Sequence, residues 1–350
     1  MKKFLTLLVA VGCCNLGWSA ILTVSNNATY PGQYSSIQTA VDAAATGDTL
    51  YIQPSATVYN EFTVTISKRL VIIGSGINPQ RPSRLGTVVY LFVLNNANAS
   101  GTVISGIYFI SCIQSGSDAI AVNNLVVSDC MFYGQGGYIT ALFGSNLLIE
   151  NCIFASPYTT ANVLQLRTAT AGNTIQNNYI YGSLQLVPGN QALIRNNIFA
   201  SGDANTIALK EYNGAYSSNV QVWNNIFYKS NPGTAAVAGC EFKNNISYLT
   251  SDPIPTNGLS SGNINSNPLF VNFPVAGDAF SFNYDFHLQA GSPAIGFGTD
   301  GRDAGMWGGL VPVNAGFEPP IPRIYELSVN NATVPVGGTI QLTIKATKAQ

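Results

Sequence analysis

The sequence predicts an all-β solenoid, a chain of short strands stacked in parallel along one axis. Three observations predict it. A short motif recurs through the middle of the chain, apolar residues flank that motif at fixed offsets, and amide and glycine content replaces charge. Of 350 residues, 46% are apolar and only 9% charged, against roughly 25% in an ordinary globular domain. Asparagine reaches 36 and glycine 34. The 15 Lys and Arg against 16 Asp and Glu leave a net charge of −1. That balance excludes a nucleic-acid binder working through a basic face. Ample apolar content excludes a charge-rich disordered chain. Chains of this composition are more often extracellular β-structures than cytosolic enzymes.

Residues 1–20 join two lysines, an apolar run from Phe4 to Val11 and a small-residue end. This is the pattern of a secretory signal peptide, too short to span a bilayer. Cleavage is expected after Ser19 or Ala20. Val11-Gly12-Cys13 offers lipoprotein processing at Cys13 or Cys14 as the alternative. No later apolar run reaches transmembrane length, so a secreted or cell-surface protein is expected.

The next element is a helix within YSSIQTAVDAAATGDTLYI at 34–52. Ser35 or Ser36 supplies the cap, and Ile37, Ala40, Val41 and Ala44 form one apolar face. Gly47-Asp48 then turns into a strand. Such a helix covers the open end of a solenoid core.

The repeat follows. ISCI around Cys112, VSDCMF, IENCIF, IQNNYI, IRNNIF, VWNNIF and FKNNIS align on Cys112, Cys130, Cys152, Asn178, Asn197, Asn225 and Asn245. Three places before the aligned residue stand Val127, Ile149, Ile175, Ile194, Val222 and Phe242. Two places after it stand Phe132, Phe154, Ile180, Phe199, Phe227 and Ser247. These inward positions flank a corner occupied by the aligned Cys or Asn. A repeat this short cannot bury a core alone, so neighbours must stack. Strands stacked about 4.8 Å apart bring equivalent asparagines within hydrogen-bonding reach of one another, which satisfies a polar group inside the solenoid. Cysteine fills the same place as a small apolar residue.

The stacked repeat, the 34–52 segment and DFHLQAGSPAIGFGTDGRDAGMWGG at 285–309 together resemble secreted bacterial proteins of the pectate-lyase-like superfamily. The resemblance covers about 35–309 and implies a right-handed parallel β-helix over 21–318, a solenoid of about ten coils with a short N-terminal capping helix. It is specific for fold alone, because that scaffold carries lyases, hydrolases, esterases and non-catalytic proteins. Residues 319–350 form a third segment. Pro319-Pro320-Ile321-Pro322 reads as a stiff linker. Tyr325 to Val329 and Ile340 to Ile344 alternate like strands and resemble the opening of a bacterial Ig-like domain. A sandwich of about seven strands needs a longer segment. Either the chain is a fragment, or these strands pack on the solenoid.

Several residues carry candidate chemistry. Cys112, Cys130, Cys152 and Cys240 are expected as buried free thiols, since ladder neighbours point the same way rather than at each other. They lack the Cys-x-x-Cys spacing or histidine partner of a zinc site. His287, the sole histidine, is read as structural, which removes a Ser-His-Asp triad. A polysaccharide lyase needs a base and a group or Ca²⁺ that neutralises the substrate carboxylate. Arg167 and Lys210 are expected to face outward about 10 Å apart, aligned through Val187, with Glu211 and Tyr212 adjoining and Asp203 one loop back. For glycoside hydrolysis the carboxylate pairs to test are Glu211 with Asp203 and Glu241 with Glu211. Calcium requires several hard oxygen ligands, and Asp118, Asp129 and Glu150 lie on successive coils. Calcium is the one cofactor candidate.

Glu150, Gln176, Arg195, Trp223 and Lys243 all stand two places before the aligned residue and should share one outward face. An exposed indole flanked by amides and charges suits stacking of sugar rings, and Tyr179, Tyr212, Tyr216 and Tyr228 are expected to add aromatic surface. The function favoured is a monomeric secreted or surface protein that engages polysaccharide or a cell-surface glycan, with no nucleic-acid partner. The alternatives are a lyase or glycoside hydrolase, and a non-catalytic structural or adhesive exoprotein.

Overall fold

A computed structural model describes residues 19–80, 85–133, 138–155, 162–211, 219–233, 239–252, 254, 259–313, 317–319, 323–329, 333–334 and 336–347. The expected signal segment lies outside them, apart from Ser19 and Ala20. The chain winds as a right-handed parallel β-helix of about eight turns, fewer than the ten expected. Among the described residues its strands form three parallel sheets, here sheet I of ten strands, sheet II of nine and sheet III of seven. The ten strands of sheet I overstate the turns. Its first strands precede any strand of sheet II, and its last two have no sheet III counterpart.

One turn shows the plan. Val126–Ser128 lies in sheet I, Met131–Phe132 in sheet II and Tyr138–Leu142 in sheet III. Alternation sends Val127 and Phe132 inward, both fully buried. Inward phenylalanines repeat in register. Phe109, Phe132 and Phe154 stack with centroids 5.1 and 4.9 Å apart, as do Phe199 and Phe227 at 5.0 Å.

The corner between sheets I and II holds only two residues. The first adopts the left-handed conformation at Asp129, Asn151, Asn177, Asn196, Asn224 and Asn244, with φ between 51° and 60°. Asn and Asp tolerate that region best after glycine. The second residue points inward and forms the expected ladder. The Nδ2 of Asn178, Asn197, Asn225 and Asn245 donates to the Oδ1 of the next turn's asparagine at 2.9–3.1 Å, ending on Asn263. Each of those Oδ1 atoms also accepts the preceding turn's backbone N–H at 2.9–3.0 Å. Each Nδ2 reaches back to a carbonyl of the turn before, as Asn225 does to Ile194 at 2.9 Å. The thiols of Cys130 and Cys152 aim at the equivalent carbonyls of Ile104 and Val127.

Cys112 does not belong to this ladder. The register Val127 to Ile104 makes Gly106-Ile107 the corner of that turn, and Cys112 opens a sheet III strand instead. ISCI matches its neighbours in residue type but sits one corner later. Among the described residues the four cysteines, Cys112, Cys130, Cys152 and Cys240, are free and buried, and burial pushes the Cys112 thiol up to about 11.

The helix is α1 (Ile37–Ala43), with Ser36 Oγ accepting from Thr39 N at 3.3 Å. Its buried Ile37, Ala40 and Val41 pack onto the first strands. Gly47 takes φ 95°, and Asp48 accepts the backbone N–H groups of Ala20 and Ala45, both at 2.8 Å. At the other end, Arg323–Val329 and Leu342–Thr347 pair antiparallel as a hairpin. Among the described residues these strands make no substantial contact with α1 or the solenoid strands.

Asn225→Ala is expected to destabilise the fold by about 3 kcal/mol or more, since it strands buried donors and acceptors in two neighbouring turns. Chemical unfolding monitored by circular dichroism checks this.

Candidate functional site

The outward faces differ sharply in what covers them. Sheet II is covered. After the last turn the chain folds back along the helix axis, and residues 268–313 and Phe317 pack on the outside of sheet II. Ile153, Tyr179, Tyr181, Ile198, Ile226 and Tyr228 form a second core there with Phe270, Phe286, Ala304 and Met306. Tyr179 and Tyr228, expected as exposed aromatic surface, are buried beneath this strap, at 0% and 3% exposure. Tyr179 Oη donates to the Asp278 carbonyl at 2.6 Å. The signal for this cover was in the sequence. YIY, IFA and IFY at 179–181, 198–200 and 226–228 are apolar at every position, as strands buried on both faces are.

Sheet III carries the two expected bases. Leu164, Leu166, Leu184, Leu186 and Leu209 point inward and are buried, so Gln165, Gln185 and Lys210 point outward in one register column. Arg167 joins them, with Nη2 donating to Gln165 Oε1 at 3.0 Å. Asn162 Nδ2 donates to Gln185 Oε1 at 3.2 Å. The expected alignment through Val187 is shifted by two residues. Leu209 pairs with Leu184, and Ile207 before it is exposed. Lys210 therefore stands opposite Gln185, and two turns, about 10 Å, separate it from Gln165. The Glu211 side chain and all of Tyr212 and Tyr216 lie outside the described residues. Asp203 closes a local turn by accepting from Asn205 N at 2.9 Å. Glu241 lies in sheet I and Glu211 in sheet III, so that carboxylate pair is divided between two faces.

Sheet I carries the expected stripe in unbroken register, Glu150 to Gln176 to Arg195 to Trp223 to Lys243. Its members bond to one another. Gln176 Nε2 donates to Glu150 Oε2 at 2.6 Å, and Arg195 Nε to Gln176 Oε1 at 2.9 Å. Trp223 Nε1 donates to Glu241 Oε2 at 3.0 Å, while Lys243 pairs with Glu241 and lies 5.6 Å from the indole centroid. Gln176 is buried, at 5% exposure. The stripe is a prearranged polar surface rather than an open indole platform.

The three candidate calcium ligands do not gather. Asp118 is exposed in the loop leaving sheet III, whereas Asp129 and Glu150 are neighbours at the corner of sheet I. Among the described residues no three His, Cys, Asp or Glu side chains form a metal cluster. Asp129 is itself unusual. It is 4% exposed, its Oδ2 accepts from Ser105 at 3.4 Å, and its Oδ1 has no partner. Burial raises its carboxyl to about 7, and nearby Glu150 adds to the rise against hydrogen bonds from Ser128 and Ser105.

Two solved structures of pectin methylesterase from Aspergillus niger, in penultimately deglycosylated and deglycosylated forms, align at 14% identity. The alignments cover 70% of this chain and 83% of that chain, with a TM-score of 0.33. A likeness of that size carries no argument about activity. No family model and no curated protein matches the sequence. The class of architecture is a parallel β-helix. No helix among the described residues is long and apolar enough to cross a membrane.

A pH experiment follows from Asp129. The folded state holds a proton between pH 3.8 and about 7 that the unfolded state has released. The stability this confers is complete below that window and is lost as pH rises through it. Asp129→Asn is expected to stabilise the protein at pH 8 by roughly 1–3 kcal/mol and to have little effect at pH 4. Urea unfolding at the two pH values checks this.

Proposed function

We propose that this is an exported β-helix protein that engages polysaccharide along the outer face of sheet III. The observation that carries the reading is the outward column Gln165, Gln185 and Lys210 with Arg167 hydrogen-bonded beside it. Each glutamine amide is held in place by a neighbour, Arg167 or Asn162, and amides are groups with which sugar hydroxyls exchange hydrogen bonds. Successive rungs about 4.8 Å apart repeat that offer along the axis, parallel to the run of an extended glycan. Lys210 and Arg167 extend the range to carboxylated sugars. The polar stripe from Glu150 to Lys243 on sheet I gives a second surface of the same chemistry. Export by the 1–20 segment, and reading 319–350 as the start of an Ig-like module, belong to the same proposal.

The test is retention of the purified protein on neutral and anionic polysaccharide columns, with and without Ca²⁺. Lys210→Ala combined with Gln185→Ala is expected to weaken retention about tenfold, about 1.4 kcal/mol, with an unchanged melting temperature. Equal retention of wild type and variant overturns the assignment to sheet III. An unsaturated, ultraviolet-absorbing product that Lys210→Ala abolishes identifies a lyase instead, and new reducing ends identify a hydrolase. Neither retention nor product leaves a structural exoprotein.

A further inference from the structure

The strap leaves the first turns of sheet II uncovered. Val88, Tyr108 and Met131, the outward residues of the strands Val88–Val89, Tyr108–Phe109 and Met131–Phe132, are half-buried. They floor an open-sided cleft of about 810 Å³. One wall is the loop at 76–80 and the other is the strap at 280–283. The two walls are tied, because Gln80 Nε2 donates to the Phe282 carbonyl at 3.1 Å and to Asn283 Oδ1 at 3.4 Å. Behind this tie lies a second lobe of about 500 Å³, which shares Phe280 and Phe282 with the first.

The two lobes are lined by different groups. In the first, the rings of Tyr108 and Tyr133 lie 6.4 Å apart, and Phe280 meets Phe282 edge-on at 5.0 Å. Tyr133 is 40% exposed. No charged side chain lines this lobe among the described residues. In the second, His287 stacks on Trp307 at 4.1 Å, and its Nδ1 lies 2.6 Å from Asp285 Oδ1. Burial works to raise the Asp285 carboxyl. The backbone N–H and imidazole of His287 outweigh it and hold that carboxyl below its usual range. His287, read from the sequence as structural, is thus an exposed residue lining this lobe.

We propose that this two-lobed cleft is a binding site for a neutral oligosaccharide, separate from the outer face of sheet III. Sugar rings present apolar C–H faces and a rim of hydroxyls. The tyrosine pair and the Phe280–Phe282 pair meet the faces, and Gln80, Asn283 and Asp285 meet the rim. Among the described residues the first lobe gives a carboxylated sugar no counter-ion. An open-sided groove continuing into a second lobe suits consecutive rings of a chain better than one enclosed small molecule. The inference shares with the proposed function the class of ligand, not the site.

The experiment titrates the full chain with neutral tetrasaccharides of β-1,4-glucan, β-1,4-xylan, β-1,4-mannan and α-1,4-glucan, read by calorimetry and by Trp307 fluorescence. At least one is expected to bind. Tyr133→Ala and Phe282→Ala should each weaken it tenfold or more, and Tyr133→Phe should restore it. Lys210→Ala should leave it unchanged. No binding by any of the four overturns the proposal, as does binding indifferent to Tyr133→Ala and Phe282→Ala. Loss with Lys210→Ala alone would assign the oligosaccharide to sheet III, so failure of the cleft and failure of that face are separable. Exposed Tyr133 can be truncated without unfolding, and the melting temperature verifies it.

Discussion

A two-residue corner between sheets I and II is the constraint on which the rest depends. The chain must change direction within one dipeptide, so its first residue is driven into the left-handed region and its second is forced inward. Asparagine answers both demands. In the first place it accepts φ near 55° at little steric cost. In the second, its Oδ1 takes the N–H of the turn before and the amide of that turn's asparagine. Because side chains alternate with period two, a slip of one residue would expel the ladder and bury the stripe. The amide column therefore fixes register as well as satisfying polar groups.

The first asparagine of each corner has a further consequence on the outside. In the left-handed conformation its side chain meets the returning strap. Asn244 donates to Phe297 O, Asn196 to Asp303 O, and Asn177 to Met306 O and Gly308 O, while Asn224 and Thr299 bond reciprocally. One Asn-Asn dipeptide thus secures the inner ladder and the outer cover. The cover closes sheet II beyond its first turns, and sheets I and III are left open along their whole outer faces.

Much of this was legible in the sequence because it is local and periodic. The corner residues, the inward Val/Ile and Phe positions, and the helix from Ile37 follow from spacing and side-chain type. What escaped was set by distance along the chain. Gln80 meets Phe282 and Asn177 meets Met306 across segments whose loops have no period to read. The shift that put Lys210 opposite Gln185 has a similar origin. The loop before Leu209 ends with an exposed Ile207, and an isoleucine beside a strand reads as inward until its register is known. Likewise ISCI imitates the motif in residue type while Gly106-Ile107 makes the turn.

The same corner explains where the cleft opens. From Asn177 to Asn244 every corner bonds the strap. The earlier corners carry Gly106-Ile107, Asp129-Cys130 and Asn151-Cys152. Glycine has no side chain to offer, and the Asp129 carboxyl bonds Ser105 rather than the strap. The Oδ1 atoms of Asp129 and Asn151 are left without partners. Ile107, Cys130 and Cys152 replace the inner amide in those turns, so the inner amide column is absent where the outer one does not reach the strap. Tyr108 and Met131 follow the Gly106 and Asp129 corners, and with Val88 they are the half-buried outward residues at this end of sheet II, as Tyr248 and Ile264 are at the other. Ile153, one turn later, is sealed. An unbroken run of asparagine pairs would extend the clasp to these turns and draw the strap toward Tyr108. The turns least secured by amides are thus the turns that keep an aromatic floor accessible, and the stability given up at those corners is tied to the space gained beside them.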